Sequence, residues 1–243
     1  MDTIRASRDE RIRHLLGVGL FQGLAPGDLA AVADAARRRE IRRDGYFFEQ
    51  DEPASTLYVL CEGRVKLSQL TPEGNQVVLH VVGPGELFGA ISVTSGVTYP
   101  DTAQAMEDSA ALSWDSETLQ RLMERMPRLA ISALHAVTER THELQNRYRE
   151  LATERVERRV AHTLLRLAGQ AGRSRPEGGV LIDMPLSRQD LAEMTGTTLY
   201  TVSRILSHWE QLGLVAGTRE QVVILSSHRL VAIAEDLPAD GEP

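Results

Sequence analysis

Cysteine is almost missing from this chain: 243 residues carry a single one, Cys61. A lone thiol excludes an internal disulfide framework, a cysteine-ligated zinc site and a four-cysteine iron–sulfur cluster within one chain. Cys61 ends the apolar run Leu57-Tyr58-Val59-Leu60-Cys61, where it reads as a small buried hydrophobe, with redox sensing as the alternative. Long apolar runs are missing too. Val77 to Val82 is interrupted by His80 and stops at Gly83-Pro84-Gly85, far short of the roughly 20 apolar residues of a spanning helix. Met1 to Arg13 mixes charges without an apolar core, so no signal peptide and no membrane partner are expected, and the expected location is the cytoplasm. A basic surplus is also absent. The formal net charge is -7, which argues against coating nucleic acid by bulk charge. Locally the balance reverses: Arg147 to Arg175 holds eight arginines against three glutamates, a surplus that suits phosphates but also suits a solvated helix face.

What is present is ordinary globular composition, 42% hydrophobic and 25% charged, on a chain long enough for two modest domains. Arg8 to Ala36 reads as short helices. The period then changes to short strand-like runs at Tyr46–Phe48, Thr56–Cys61, Val65–Leu70 and Gln76–Val82, with further strands around Asp101–Met106 and Ala110–Trp114. Turn chemistry separates them, as in Glu62-Gly63-Arg64 and Thr71-Pro72-Glu73-Gly74-Asn75. Many short strands with Gly/Pro turns predict a β-sandwich or jelly roll.

Asp115 and Ser116 can cap a helix to about Arg125, and Met126-Pro127 opens another. Along this second helix Ala130, Leu134, Val137, Thr141, Leu144, Tyr148 and Leu151 recur at alternating spacings of 4 and 3. That is the heptad spacing of helices packed side by side, so the stripe predicts a homodimer. Packing along the chain's own β-domain is the alternative, and both can hold on different faces. Beyond residue 152, Val160, Leu164, Leu165 and Leu167 make an amphipathic helix ended by Gly169, and Val180–Met184 reads as a strand.

Leu186 to Glu210 has helix-turn-helix form. Leu191, Ala192 and Met194 face inward on the first helix, Gly196 supplies the turn, and Thr197 or Thr198 caps the second helix. At 100° per residue Val202, Ile205, Leu206 and Trp209 share one side; Tyr200, Ser203, Arg204 and Ser207 lie opposite, with Leu199 and Thr201 flanking. One side packs and the other offers hydrogen-bonding groups to a major groove of double-stranded DNA. Ser187, Arg188, Thr198, Leu199, Tyr200, Thr201, Ser203, Arg204 and Ser207 are the candidate DNA contacts. Arg204 is the candidate for a bidentate guanine contact, against the plainer reading of a solvated surface residue. Val215 and Val222–Leu225 predict a β-wing, to which Arg219 can add a phosphate contact.

These residues, in this order, resemble the CRP/FNR family of bacterial transcription factors over roughly residues 15–230. Glu62-Gly63-Arg64-Val65-Lys66-Leu67 and Gly83-Pro84-Gly85-Glu86-Leu87-Phe88-Gly89 look like its cyclic-nucleotide-binding-type jelly roll. Arg159 to Ala168 looks like its hinge, and Thr201-Val202-Ser203-Arg204 matches the end of its recognition motif. The resemblance implies an α+β chain. Its parts are a jelly-roll sensory domain (1–126), a dimerisation helix (127–152), a winged helix-turn-helix (153–237) and a disordered tail (238–243). It also implies RNA polymerase as a partner, and an effector pocket drawn from Glu86, Leu87, Phe88, Asp101, Thr102, Leu144 and Gln145.

Departures from the pattern carry information. Cyclic-AMP-binding members hold the cyclic phosphate with an Arg-Ser-Ala segment, where this chain has Tyr99-Pro100-Asp101-Thr102-Ala103. An aspartate there repels a phosphate, so cyclic nucleotide is not the expected effector. Leu144 and Gln145 replace purine-contacting hydroxyls, and the cysteines of oxygen-sensing members are missing. Tyr99 to Ala105 with Lys66 to Gly74 looks closest to the Dnr-type branch, which senses nitric oxide through haem; His80 is then the candidate axial ligand. Tyr200 stands where the family commonly has a cytosine-reading glutamate, so a different operator is expected.

Two other classes are weaker. A jelly-roll enzyme needs clustered metal ligands, but the seven histidines are scattered at 14, 80, 135, 142, 162, 208 and 228, and no firm metal site is expected. There is no P-loop, nucleophile elbow or dinucleotide fingerprint. A winged helix that binds protein would show apolar groups where the second helix is polar.

Overall fold

The two periodicities of the sequence segregate into two compact units in the computed structural model of the chain, which describes residues 7–89, 97–218 and 220–237. One unit holds the described chain through Asn75 together with Leu79–Glu143; the other takes Gln76–Val78 and the described chain from Leu144 onward. The expected tail at 238–243 lies outside the described residues.

Helices α1 (Arg8–Leu16) and α2 (Pro26–Ala35) open the first unit. Eight strands come next: β1 (Arg37–Ile41), β2 (Tyr46–Phe48), β3 (Thr56–Glu62), β4 (Val65–Leu70), β5 (Gln76–Val82), β6 (Leu87–Gly89), β7 (Thr102–Ala105) and β8 (Ser109–Asp115). They make two four-stranded sheets, ordered β1-β8-β3-β6 and β2-β7-β4-β5. The pairings around β3, β7 and β8 are antiparallel, as a jelly roll requires.

Strand β3 explains this architecture. Its residues Leu57 to Cys61 are all buried because the strand is covered on both faces. Leu57, Val59 and Cys61 join Leu15, Phe21, Val32 and Trp114 in a core against the helices. Tyr58 and Leu60 join Phe47, Phe48, Val65, Phe88 and Tyr99 in a second core between the sheets. A continuous apolar strand is what burial on both faces selects. Cys61 is accordingly a core residue, its thiol pushed up to about 11 by burial. Trp114 closes the first core and donates its indole N–H to the Val32 carbonyl at 2.9 Å, which removes the cost of burying that donor.

Three strands carry no apolar alternation and escaped the sequence reading. The edge strand β1, Arg-Arg-Arg-Glu-Ile, pairs with β8 and is largely exposed; charges on an edge block further pairing. Strand β6 is three residues long and begins where a turn was expected to end. The third, β9 (Gly172–Ser174), lies in what reads as a loop.

Asp115 caps α3 (Ser116–Arg125), accepting from Thr118 N at 2.8 Å. Helix α4 runs from Pro127 to Thr153. Leu129 and Ala133 sink into the first unit's helix-side core. The predicted stripe stays uncovered, with Leu134 65% and Tyr148 75% exposed and Val137, Thr141, Leu144 and Leu151 also open. The Leu129–Ala133 face thus packs on the chain's own unit, while the heptad stripe lies open on another face. The division between units falls inside α4, after Glu143 rather than near residue 152. The physical reason is that the last turns of α4 are gripped by the second unit: the Glu150 carboxylate takes two hydrogen bonds from Arg166, at 2.8 and 3.0 Å.

In the second unit α5 (Val156–Ala171) runs through Gly169, which does not end it. After β9 come β10 (Val180–Ile182), α6 (Arg188–Thr195), α7 (Leu199–Gln211), the wing strands β11 (Val215–Gly217) and β12 (Val222–Ile224), and α8 (Ser227–Ala234). The sheet order is β11-β12-β10-β9. Helix α8, which sequence periodicity missed, packs on α5, and Arg158 Nε donates to its Ala234 carbonyl at 2.9 Å.

The β3–β4 turn tests the first unit. Gly63 has φ +85°, and a Cβ there would meet the Asp108 carbonyl oxygen at 2.7 Å. Gly63→Ala should lower unfolding stability by about 1–3 kcal/mol, from the left-handed strain and the clash together. A urea denaturation midpoint unchanged from the parent protein would contradict this reading of the turn.

Candidate nucleic-acid interface

The helix-turn-helix is built from local sequence upward. Ser187 caps α6 with a full capping box: its hydroxyl accepts from Asp190 N at 3.0 Å, and Asp190 Oδ2 accepts from Ser187 N at 3.0 Å. Leu191 and Ala192 are buried as expected, but Met194 is only half-buried, and Thr195 takes the inward place. The Thr195 hydroxyl donates to the Leu191 carbonyl at 2.6 Å, which makes a buried polar side chain tolerable. Gly196 turns the chain in the left-handed region, φ 60° and ψ 46°, where a side chain is disfavoured. Of the two threonines beyond it, Thr198 caps α7 by accepting from Thr201 N at 3.2 Å.

Helix α7 then divides as its wheel predicts. Val202, Leu206 and Trp209 are buried, with Ile205 half-buried beside them. On the other side Tyr200 is 71% exposed, Leu199 and Arg204 are exposed, and Thr201, Ser203 and Ser207 are half-buried. The Arg204 guanidinium stands 5.9 Å from the Tyr200 ring centroid, a cation–π distance that steadies a long side chain before any ligand arrives. Two candidate contacts have other commitments. The Ser187 hydroxyl is spent on the cap, and Arg188 reaches Glu210 at 3.3 Å. Arg219 lies outside the described residues.

Sequence reasoning missed the groups that hold this surface in place. Trp209, wholly buried, donates its indole N–H to Glu157 on α5 at 3.0 Å. Arg159 donates from Nε to the Thr195 carbonyl at 2.9 Å and from its terminal nitrogen to the Glu154 carbonyl at 2.8 Å. It thereby ties the α4–α5 junction to the end of α6. No sequence motif marks these tethers, because they join residues 36 and 52 positions apart.

Within the first unit, the expected effector-pocket residues Leu87 and Phe88 face different interiors. Phe88 is 4% exposed and belongs to the aromatic core between the sheets, stacked on Tyr58. Leu87 packs on the opposite, helix-side core. Strand alternation sends the two to different interiors. Thr102 Oγ1 accepts from Gln50 N at 2.9 Å. Leu144 and Gln145 belong to the other unit. Glu86 and Asp101 do share one feature, the field of the Arg140 guanidinium. Burial pushes the Asp101 carboxyl up against that pull. Burial would raise Glu86 as well, but the hydrogen bond and charge of His80, the Gly83 N–H and Arg140 hold it below its ordinary value. His80 Nε2 lies 3.0 Å from Glu86 Oε2, and the imidazole side chain is 11% exposed. The carboxylate contact engages one ring nitrogen of this candidate haem ligand.

Comparison with known proteins agrees with this geometry. Residues 38–126 match the cyclic nucleotide-binding domain family, and residues 158–233 match the Crp-like helix-turn-helix domain family. The chain is 30% identical over 199 residues to the cyclic AMP receptor protein of Thermus thermophilus, covering 82% of this chain and 88% of that one. It is 28% identical over 217 residues to the CRP-like cAMP-activated global transcriptional regulator of Mycobacterium tuberculosis, covering 89% of this chain and 96% of that one. The structure of FixK2 from Bradyrhizobium japonicum superposes with a TM-score of 0.71 at 25% identity, covering 85% of this chain and 99% of that one.

The Glu86–His80 pair gives a pH test. A carboxyl held low in the folded state contributes stability that is present above its unfolded value and lost as pH falls through the folded value. Glu86→Gln should therefore destabilise the protein most at about pH 6, and the difference should shrink toward about pH 4. Thermal melts of both proteins across that range check it; a difference independent of pH would mean that Glu86 acts only through packing.

Proposed function

The chain belongs to the CRP/FNR family of transcription regulators, and from that premise we propose that it binds a pseudo-palindromic duplex operator as a homodimer. The observation that carries this is the divided surface of α7. Its apolar side is anchored, and Tyr200, Arg204 and the neighbouring hydroxyls are turned outward on the side sized for a major groove. The apolar stripe of α4 from Leu134 to Leu151 supplies the dimer contact, since six heptad-spaced positions lie open on one protomer. Two-fold symmetry then sets the recognition helices on successive major grooves, about 34 Å apart.

The effector belongs to the N-terminal unit and is not a cyclic nucleotide. Asp101, raised by burial, stands where an arginine would meet the cyclic phosphate, and Arg140 is already shared between Asp101 and Glu86. RNA polymerase is the partner at the promoter, and the protein works in the cytoplasm.

Arg204→Ala should weaken cognate binding by about 1–3 kcal/mol while leaving non-specific binding almost unchanged. Gel shifts on operator and on random duplex separate the two, and an equal loss on both would make Arg204 a phosphate contact. Footprinting should show two symmetric half-sites; protection of one half-site alone would sink the dimer reading. Leu144→Asp should place a charge in the α4 seam and shift the protein to monomer in sedimentation equilibrium. A variant still dimeric at micromolar concentration would move the interface elsewhere.

A further inference from the structure

Far from α7 in the sequence, three side chains of the first unit converge. Glu10 and His14 sit one turn apart on α1, and Glu62 ends β3. One ligand atom from each lies within 4.8 Å of the other two. We propose that Glu10, His14 and Glu62 bind a divalent first-row transition cation, with an imidazole nitrogen and two carboxylate oxygens as ligands.

The convergence is built by two separate features. On α1, positions i and i+4 lie on one helix face, so Glu10 and His14 stack side by side. That helix is fixed in place by the Ser7 cap at its start and by fully buried Leu15 at its end. On β3, simple alternation would send Glu62 to the same side as Tyr58 and Leu60, into the apolar space between the sheets. It does not go there, because the register with β8 shifts between Leu60 and Glu62, leaving Cys61 as the extra residue. A bulge of this kind re-aims the side chain next in line. Here it brings the Glu62 carboxylate to the helix side, toward α1.

The donor set and the surroundings both suit a cation. Oxygen and imidazole donors select metals such as zinc, cobalt, iron(II) or manganese over soft copper(I). Metal–ligand distances of about 2.0–2.2 Å require the three groups to draw together by roughly an ångström, which side chains that are not fully buried can supply by rotation. Three protein ligands leave a further position for water. Among the described residues, the side chains of Glu10 and His14 make no hydrogen bond or ion pair, although both are half-buried. Glu62 does have a cationic neighbour, Arg38, at 3.4 Å. Arg38 is held more closely by Glu40, at 2.8 Å, and can stay with it when a metal takes Glu62. A bound cation would tie α1 to the end of β3, two elements that also meet in the helix-side core.

The test is a titration of the full-length purified protein with Co²⁺, read by visible absorption, with Zn²⁺ added afterwards. About one Co²⁺ per chain should bind with low-symmetry d–d bands, and Zn²⁺ should displace it. His14→Gln and Glu10→Gln should each weaken binding by about tenfold or more, and Glu62→Gln should do the same. None of the three residues is fully buried, so each variant should melt like the parent protein without metal. His228→Gln, on the second unit, should bind like the parent. Absence of saturable Co²⁺ binding, or binding that survives His14→Gln unchanged, would overturn the proposal.

Discussion

Helix α7 can offer Tyr200 and Arg204 to a groove only because its other side cannot let go. Val202, Leu206 and Trp209 are buried, and the one polar atom of that side, the Trp209 indole nitrogen, is satisfied by Glu157 on α5. A buried N–H without a partner would cost about 1–3 kcal/mol. The Glu157 contact therefore both removes that cost and fixes the helix about its own axis. Arg159 completes the clamp at the other end of the motif through the Thr195 carbonyl. Rigid support behind a reading surface lets the bases find donors already in place.

The same arginine makes the α4–α5 junction part of the DNA-binding unit rather than a loose linker. It spans the Glu154 and Thr195 carbonyls, while Glu150 grips Arg166 and Arg158 reaches Ala234. The final turns of α4 thus belong mechanically with the helices beyond them. The uncovered stripe continues along the same helix through Leu151, whose side chain also approaches Gly196 at the turn of the motif. The end of the α4 stripe and the turn of the helix-turn-helix are therefore neighbours within the second unit.

In the N-terminal unit the corresponding constraint is β3, buried on both faces. Once that strand is central, Tyr58 and Phe88 must stack between the sheets, and Leu57, Val59 and Cys61 must meet the helices. Polar groups are left to the margins: Glu86 with His80, Asp101 near Arg140, and Glu62 beyond the bulge. The family pattern survives in this scaffold of strands and cores.

Period and turn chemistry were enough to read the strands at Tyr46–Phe48, Val65–Leu70 and Gln76–Val82, the Asp115 cap, the α4 stripe and the two faces of α7, because each is a local property of residues close in sequence. Strand β1 was illegible because its stability comes from backbone pairing with β8, some 70 residues away, and its side chains are almost all charged. The same holds for the effector-pocket residues: Leu87 and Phe88 are adjacent in sequence, yet alternation placed them in different cores. His80 carried no mark of its carboxylate partner. Glu10 and His14 were not singled out in the sequence, and Glu62 comes near them through a bulge that no spacing announces. Local periodicity determined which elements form and which faces they bury; long-range pairing and burial decided which polar groups meet, because partners far apart in the chain leave no trace in its short-range pattern.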